Sequence, residues 1–278
     1  MDPGRVVCLI GRSGSGKTMI ARDILFRIAR QSHVGLVFSA TENVNGAYSA
    51  FVPPCLIYTE FREDKVFGLL DVQAKKRKAR EGMVQDIASY VRMGRTQDAE
   101  RLKQQLVERE ARERAFIVID DLAFSQSTFN NDAMRAILFQ SRHFNILTII
   151  SVQYSLLLPT ALRANLAFVF VAREPIYANR VRLHQHFFGI FPTYQDFERV
   201  FNACTTGHDF AVLDNTSRSM NPNDCVAWFR ANIDLKPFRL CSAQWWSFND
   251  ANFDSDFESK LRRRKLLELK GPTVKKKR

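Results

Sequence analysis

No two cysteines in this sequence are spaced C-x-x-C. Cys8, Cys55, Cys204, Cys225 and Cys241 are scattered, several of them inside apolar runs (VVCLI, PPCLIY, DCVAWF). That argues against a disulfide framework and a cysteine zinc site, and for buried thiols in a reducing compartment. The five histidines form no metal spacing with the cysteines. HQH at His184–His186 comes nearest, and we do not read it as a metal site. No apolar run reaches the ~18 residues of a membrane helix. No signal peptide is recognisable, and no internal repeat is found.

Acidic surplus is missing too. Lys and Arg number 41 against 29 Asp and Glu, a formal net charge of +12. A polyanion partner is therefore expected, nucleic acid first and an anionic membrane surface second. The excess is uneven: ten Lys/Arg and one acid, Glu268, lie between Lys260 and Arg278. The 278 residues, 46% of them hydrophobic, suffice for one large α/β domain or two smaller ones.

What is present is a series of short, continuously apolar runs separated by helical periodicity. RVVCLI (5–10), VGLVFS (34–39), FIVIDD (116–121), ILTIIS (146–151) and AFVFVA (167–172) read as buried strands. A helix over 17–31 turns Ile20, Ile24, Leu25 and Ile28 inward. TENVNGAYSAFVPP reads as a loop, and CLIYTEF as a short strand or a helix start. Helices are also expected over 131–144 and 159–164. DFAVLD and CVAWF form a late β-hairpin around NTSRSMNPND. The tail holds a short helix over 261–269 and a disordered GPTVKKKR. Alternation with apolar strands predicts an α/β fold with a mainly parallel sheet covered on both faces.

Residues 64–114 differ in character and read as a helical insertion broken at Gly94. Val84, Ile87, Ala88 and Val91 follow helical spacing for one apolar face. Glu108–Arg112 and Glu110–Arg114 are spaced for i, i+4 pairs. The basic run KKRKAR (75–80) is either a DNA contact or a solvated face. The boundaries are thus one domain over 1–258 and a basic tail over 259–278.

GRSGSGKT (11–18) matches G-x-x-x-x-G-K-[ST], with a strand before it and a helix after it. Chance alone would place this pattern in roughly 1% of chains this long. Gly11, Gly14 and Gly16 allow tight backbone turns. The amides of the turn, with Ser13 and Ser15 inside it, can then face phosphate oxygens at a helix N-terminus. Lys17 is expected to reach the β- and γ-phosphates of ATP, and Thr18 to offer its hydroxyl to Mg²⁺. The motif starts so close to residue 1 that no domain is expected ahead of it.

FIVIDD completes such a site. Asp120, at the carboxyl end of a buried strand, is the candidate Mg²⁺ acid, and Asp121 the candidate that orients or deprotonates the attacking water. About a hundred residues separate Lys17 from Asp120, with VGLVFS between them. P-loop ATPases of the additional-strand, RecA-like class insert a strand between the P-loop strand and the Mg²⁺-acid strand. They end the next strand in a polar sensor. Gln153, after ILTIIS, fits that place, although a Gln after a strand is ordinarily a loop residue.

The ordered set GRSGSGKT, FIVIDD, SRHFNILTIISVQ, LPTALRANLAFVFVA and DFAVLD resembles the genome-packaging ATPases of large nucleo-cytoplasmic DNA viruses. These belong to the FtsK–HerA superfamily of P-loop motors. The resemblance covers roughly residues 6–229. It implies an ATP-driven translocase that moves double-stranded DNA into a capsid. It also implies a ring of five or six subunits, each ATP site being finished by an arginine of the neighbour. Arg142, before the sensor strand, and Arg163, before the next strand, are the candidates, with Arg142 preferred. One departure stands out: many such motors carry Glu after the Mg²⁺ acid, where this chain has Asp121. The host cytoplasm or the virion is the implied location, with the nucleus open because KKKR also resembles an import signal. A helicase or recombination ATPase shares this core. A small-molecule kinase shares only the cradle, and Asp121 and Gln153 suit water better than an acceptor.

Overall fold

The computed structural model describes residues 4–120, 122, 131–154 and 158–254. β1 (Val6–Ile10) leads through the glycine-rich turn into α1 (Lys17–Ile28), and a 3-10 turn (Ala29–Gln31) passes the chain to β2 (Ser32–Ser39). Next come a short α2 (Glu42–Asn45), a two-residue strand β3 (Ile57–Tyr58) and a long hairpin of α3 (Glu63–Arg92) and α4 (Thr96–Arg112). β4 (Arg114–Asp120), α5 (Asp132–Gln140), β5 (Ile146–Val152), α6 (Thr160–Arg163) and β6 (Phe168–Val171) follow. The described chain closes with α7 (Tyr177–His186), α8 (Tyr194–Cys204), β7 (Phe210–Asp214), α9 (Pro222–Cys225), β8 (Val226–Phe229) and α10 (Ala243–Asn252).

These strands form one sheet in the order β3-β2-β4-β5-β1-β6-β7-β8. The six from β3 to β6 are parallel, while β7 pairs antiparallel with both β6 and β8. The fold is the expected α/β class. The inserted strand, however, is a different one from that suggested by sequence order. VGLVFS precedes FIVIDD in the chain, yet β2 lies on the far side of β4. The strand between β1 and β4 is β5. All seven residues of β5 are buried because it has a neighbour on each edge and helices on both faces. Of its two polar side chains, Thr148 is satisfied by the Ser141 hydroxyl at 2.9 Å, and Ser151 lies near the carboxyl end.

The segment read as a loop after β2 carries buried aromatic mass. Tyr48 and Val52 are fully buried and Phe51 is 2% exposed. The α3–α4 hairpin matches the expected insertion, with Gly94 in its turn at φ 71°. α3 has 30 residues, about 45 Å at ~1.5 Å per residue. Only its first half packs on the sheet, through Val66, Leu69, Leu70 and Gln73. The Gln73 amide donates to the carbonyls of Glu113 (2.9 Å) and Phe144 (3.0 Å), which lie at the amino ends of β4 and β5. Past Gln73 the helix runs beyond that end of the sheet.

An ion cluster locks the root of the hairpin. Arg80 donates to Glu113 at 2.9 Å and Arg109 to Glu113 at 2.5 Å. Two expectations are corrected here. Arg114 is the first residue of β4, so Glu110–Arg114 cannot be a helical pair; the i, i+4 pair that forms is Arg109–Glu113. The apolar face read from Val84 to Val91 is not buried: Val84 and Val91 are 52% and 53% exposed, with only Ile87 turned partly inward. Arg80 is spent on Glu113 and Arg77 on Glu81, which leaves Lys75 and Lys78 as the outward members of KKRKAR. The basic tail and its expected helix lie outside the described residues.

Candidate functional site

Every parallel strand delivers its carboxyl end to the same rim, where open α/β sheets bind ligands. At Gly11 the chain leaves β1 with its amide still donating to Val152 at 3.1 Å. A Cβ at Gly11 would lie 2.6 Å from Ser15 Oγ and 2.7 Å from Ala172 Cβ, so only glycine fits. At Gly16 φ is 99°, a left-handed turn that starts α1 at Lys17 with no side-chain cap on its amides. The buried Lys17 ammonium donates to the carbonyls of Gly11 (2.7 Å) and Arg12 (2.9 Å) and so folds across the turn.

β5 separates the P-loop strand from β4 by two sheet spacings, about 9–10 Å. The first turn of α1 bridges that gap: Thr18 Oγ1 donates to Asp120 Oδ2 at 2.9 Å. A second donor was not foreseen. The Tyr48 phenol donates to the same oxygen at 2.6 Å. Asp120 is 2% exposed, and its Oδ1 is buried with no hydrogen bond among the described residues. Ser39, beside Asp120 in register on β2, and Ser151, one residue beyond the last β4–β5 pair, also hold buried hydroxyls with no such bond. Magnesium takes one or two protein oxygens and keeps several waters. Thr18 and Asp120 Oδ1 fit that demand. Among the described residues no three His, Cys, Asp or Glu side chains cluster into a metal site. His184 instead stacks on Phe197 at 5.3 Å, with Nε2 2.9 Å from the Phe191 carbonyl.

Gln153 leaves β5 exposed and lines a small cleft with Gly11, Ala172, Arg173, Glu174 and Arg182. Glu174 pairs with Arg12 of the P-loop at 3.3 Å. Arg173 and Glu174 escaped the sequence reading, although a charged RE directly after an apolar strand marks a strand end on this rim. Tyr48 escaped it as well, and the only signal was an aromatic pair, Tyr48 and Phe51, inside an apparent loop. Asp121 lies outside the described residues.

The two arginines are elsewhere. Arg142 lies at the amino end of the sheet, where a Cβ on Gly4 would be 2.8 Å from its Cα. It is exposed and makes no ion pair among the described residues. Arg163 is at the same end and is engaged: Nε donates to the Leu158 carbonyl at 2.9 Å, and the guanidinium sits 5.6 Å from the Phe187 ring. Burial pulls its pKa down. Both precede strands whose carboxyl ends form the P-loop rim.

The family model for the poxvirus A32 protein matches residues 2–175. The chain belongs to the poxvirus A32 protein family. This A32-family chain is 27% identical over 249 residues to uncharacterized protein 088R of Invertebrate iridescent virus 3, covering 87% of this chain and 84% of that one. It is 26% identical over 274 residues to uncharacterized protein L437 of Acanthamoeba polyphaga mimivirus, covering 96% and 85%. Among solved structures its fold is similar to that of the genome packaging NTPase B204 from Sulfolobus turreted icosahedral virus 2 in complex with AMPPCP. The TM-score is 0.50 at 12% identity, over 84% of this chain and all of that one. As an A32-family member, the chain is a genome-packaging ATPase with a P-loop nucleotide site.

Proposed function

We propose that this chain hydrolyses ATP at sites shared between neighbouring copies in a ring of five or six subunits, and uses the energy to move double-stranded DNA into a viral capsid. The observation that carries the reading is the Thr18–Asp120 contact across β5. It places the helix that begins at Lys17 beside a buried acid with one oxygen open, as nucleotide hydrolysis requires. Residues 1–258 act as one ATPase domain, with 259–278 as a basic tail.

In this reading Gly11, Ser13, Gly14, Ser15, Gly16 and Lys17 surround the phosphates. Lys17 exchanges the Gly11 and Arg12 carbonyls for phosphate oxygens. Thr18 and Asp120 would hold Mg²⁺, which, when bound, offsets charge on the β- and γ-phosphates. Asp121 takes the proton of the attacking water, and Gln153 contacts the γ-phosphate or that water. Arg142 of one subunit meets the charge building up on the neighbour's transferring group. Its exposure supports this choice, whereas the contacts of Arg163 with Leu158 and Phe187 are those of a structural residue. Placement at the sheet end opposite the P-loop suits a residue that acts only across an interface.

A packaging motor must ignore base sequence, so DNA contacts go to phosphates and weaken with salt. Lys75, Lys78 and the tail supply charge for them. No helix among the described residues is long and apolar enough to cross a membrane. The chain then works at a capsid vertex, in a cytoplasmic viral factory or in the virion.

The test is phosphate release with and without long duplex DNA. Stimulation by duplex but not by nucleosides is expected, together with displacement of a third strand without separation of the duplex. Turnover indifferent to DNA at every salt concentration would overturn the motor, and strand separation would favour a helicase.

A further inference from the structure

The geometry points to Tyr48 as the positioning residue that aims Asp120 at the metal. The inference rests on Asp120 being the acid of the Mg²⁺ site. Asp120 Oδ2 accepts two hydrogen bonds, from Thr18 Oγ1 at 2.9 Å and from the Tyr48 phenol at 2.6 Å. A carboxylate held twice through one oxygen presents the other in a fixed direction. Here the other is Oδ1, buried and without a hydrogen bond among the described residues. The Thr18 hydroxyl is itself a metal-facing group in this reading, so its orientation changes with occupancy. Tyr48 is not a metal-facing group in this reading. A 2.6 Å phenol-to-carboxylate bond is short and charge-assisted, hence a stiff constraint.

The loop that carries Tyr48 is built to keep it still. Its ring is fully buried and packs at 5.9 Å against Phe51. The Glu42 carboxylate, 8% exposed, accepts from the Tyr48 amide at 3.1 and 3.2 Å and from the Ser49 amide at 2.8 Å. The Tyr48 carbonyl in turn accepts from Phe51 (3.0 Å) and Val52 (2.9 Å). The Phe51 carbonyl then accepts from Leu240 at 2.8 Å. A buried carboxylate that serves two loop amides restrains the backbone that carries the phenol. Partners of metal ligands typically change metal affinity ten- to hundred-fold when removed.

A buried phenol also needs some acceptor for its own sake, and the experiment separates that role from positioning. Full-length wild type, Tyr48→Phe, Glu42→Gln and Asp120→Asn are compared for Mn²⁺ binding by electron paramagnetic resonance with ATPγS present. Affinity for a fluorescent ATP analogue in EDTA and the Mg²⁺ midpoint of ATP hydrolysis are measured alongside. Tyr48→Phe keeps the ring and is expected to weaken Mn²⁺ binding by about ten-fold or more. It should raise the Mg²⁺ midpoint by the same factor, leave affinity in EDTA unchanged, and recover turnover at saturating metal. Glu42→Gln, which keeps the phenol but loosens its loop, should shift both in the same direction by less. Wild-type Mn²⁺ binding in Tyr48→Phe beside a clear loss in Asp120→Asn overturns the role of Tyr48 alone. Wild-type Mn²⁺ binding in Asp120→Asn overturns the metal role of Asp120 and, with it, this inference. Should Tyr48→Phe not fold, an unshifted midpoint in Glu42→Gln counts against the inference.

Discussion

Lys17→Ala and Arg142→Ala should each be inactive alone and regain about one quarter of wild-type turnover when mixed in equal amounts before assembly. β5 spans seven residues, about 20 Å at ~3.3 Å per residue, and Arg142 precedes it by four more. That exceeds any arginine's reach, so Arg142 cannot serve its own P-loop. An arginine supplied in trans contributes about a thousand-fold or more to turnover, so its loss should leave almost nothing. In a mixed ring a site works when an Arg142→Ala chain supplies the P-loop and a Lys17→Ala chain supplies the arginine. Random mixing makes about one interface in four of this kind. The Lys17→Ala/Arg142→Ala double mutant mixed with either single mutant should restore nothing. The assay is phosphate release at fixed total chain concentration with duplex DNA present. A shared site is refuted if Arg142→Ala alone keeps more than about a tenth of wild-type turnover, or if the mixture gives only the sum of its parts. Loss on Arg163→Ala without loss on Arg142→Ala would move the role to Arg163.

Glu113→Gln should lower stability by about 3 kcal/mol, because it strands the Arg80 guanidinium, 10% exposed, with no carboxylate. Calorimetry should show a Tm lower by roughly 6–12 °C, and a change under about 2 °C would refute the ion-cluster account. Gly11→Ala should abolish binding of a fluorescent ATP analogue while the chain stays folded, since the new Cβ meets the Cβ of Ala172, itself at the end of a buried strand; wild-type affinity would show that the cradle gives way there. Burial pushes the Cys241 thiol from its ordinary 9.0 up to about 12. The unfolded thiol therefore ionises first, and stability should fall as pH rises through that interval. Cys241→Ala should flatten the alkaline arm of a Tm-against-pH curve, and an unchanged arm would count against it.

The nucleotide end of the molecule was legible because it is local. A strand, a glycine-rich turn and a helix lie in consecutive residues, and one short pattern spans the junction. Apolar runs likewise marked β1, β2, β4, β5 and β6, since a strand buried on both faces must be apolar throughout. Which strand lies between β1 and β4 is not local, and chain order pointed to β2 where pairing places β5. Tyr48 was hidden for a related reason. YSAFV sits among Asn, Gly and Pro, and its burial depends on Asp120, 72 residues away. α10 was missed because QWWSFNDAN has aromatic residues without a helical period. On α3 the expected apolar face was real in sequence but not in packing, because that half of the helix runs past the sheet it would cover.

β5 carries two of the candidate residues on one segment, Gln153 just beyond its carboxyl end and Arg142 just before its amino end. Two parallel neighbours flank it, and none of its seven residues is exposed. Such a strand can neither bend nor slip without breaking ladders on both sides. If Arg142 meets the next subunit's nucleotide, β5 is the ruler of the assembly. Its residue count, and no flexible linker, then sets the interval between successive nucleotides around the ring, and a shift felt at one end is carried whole to the other.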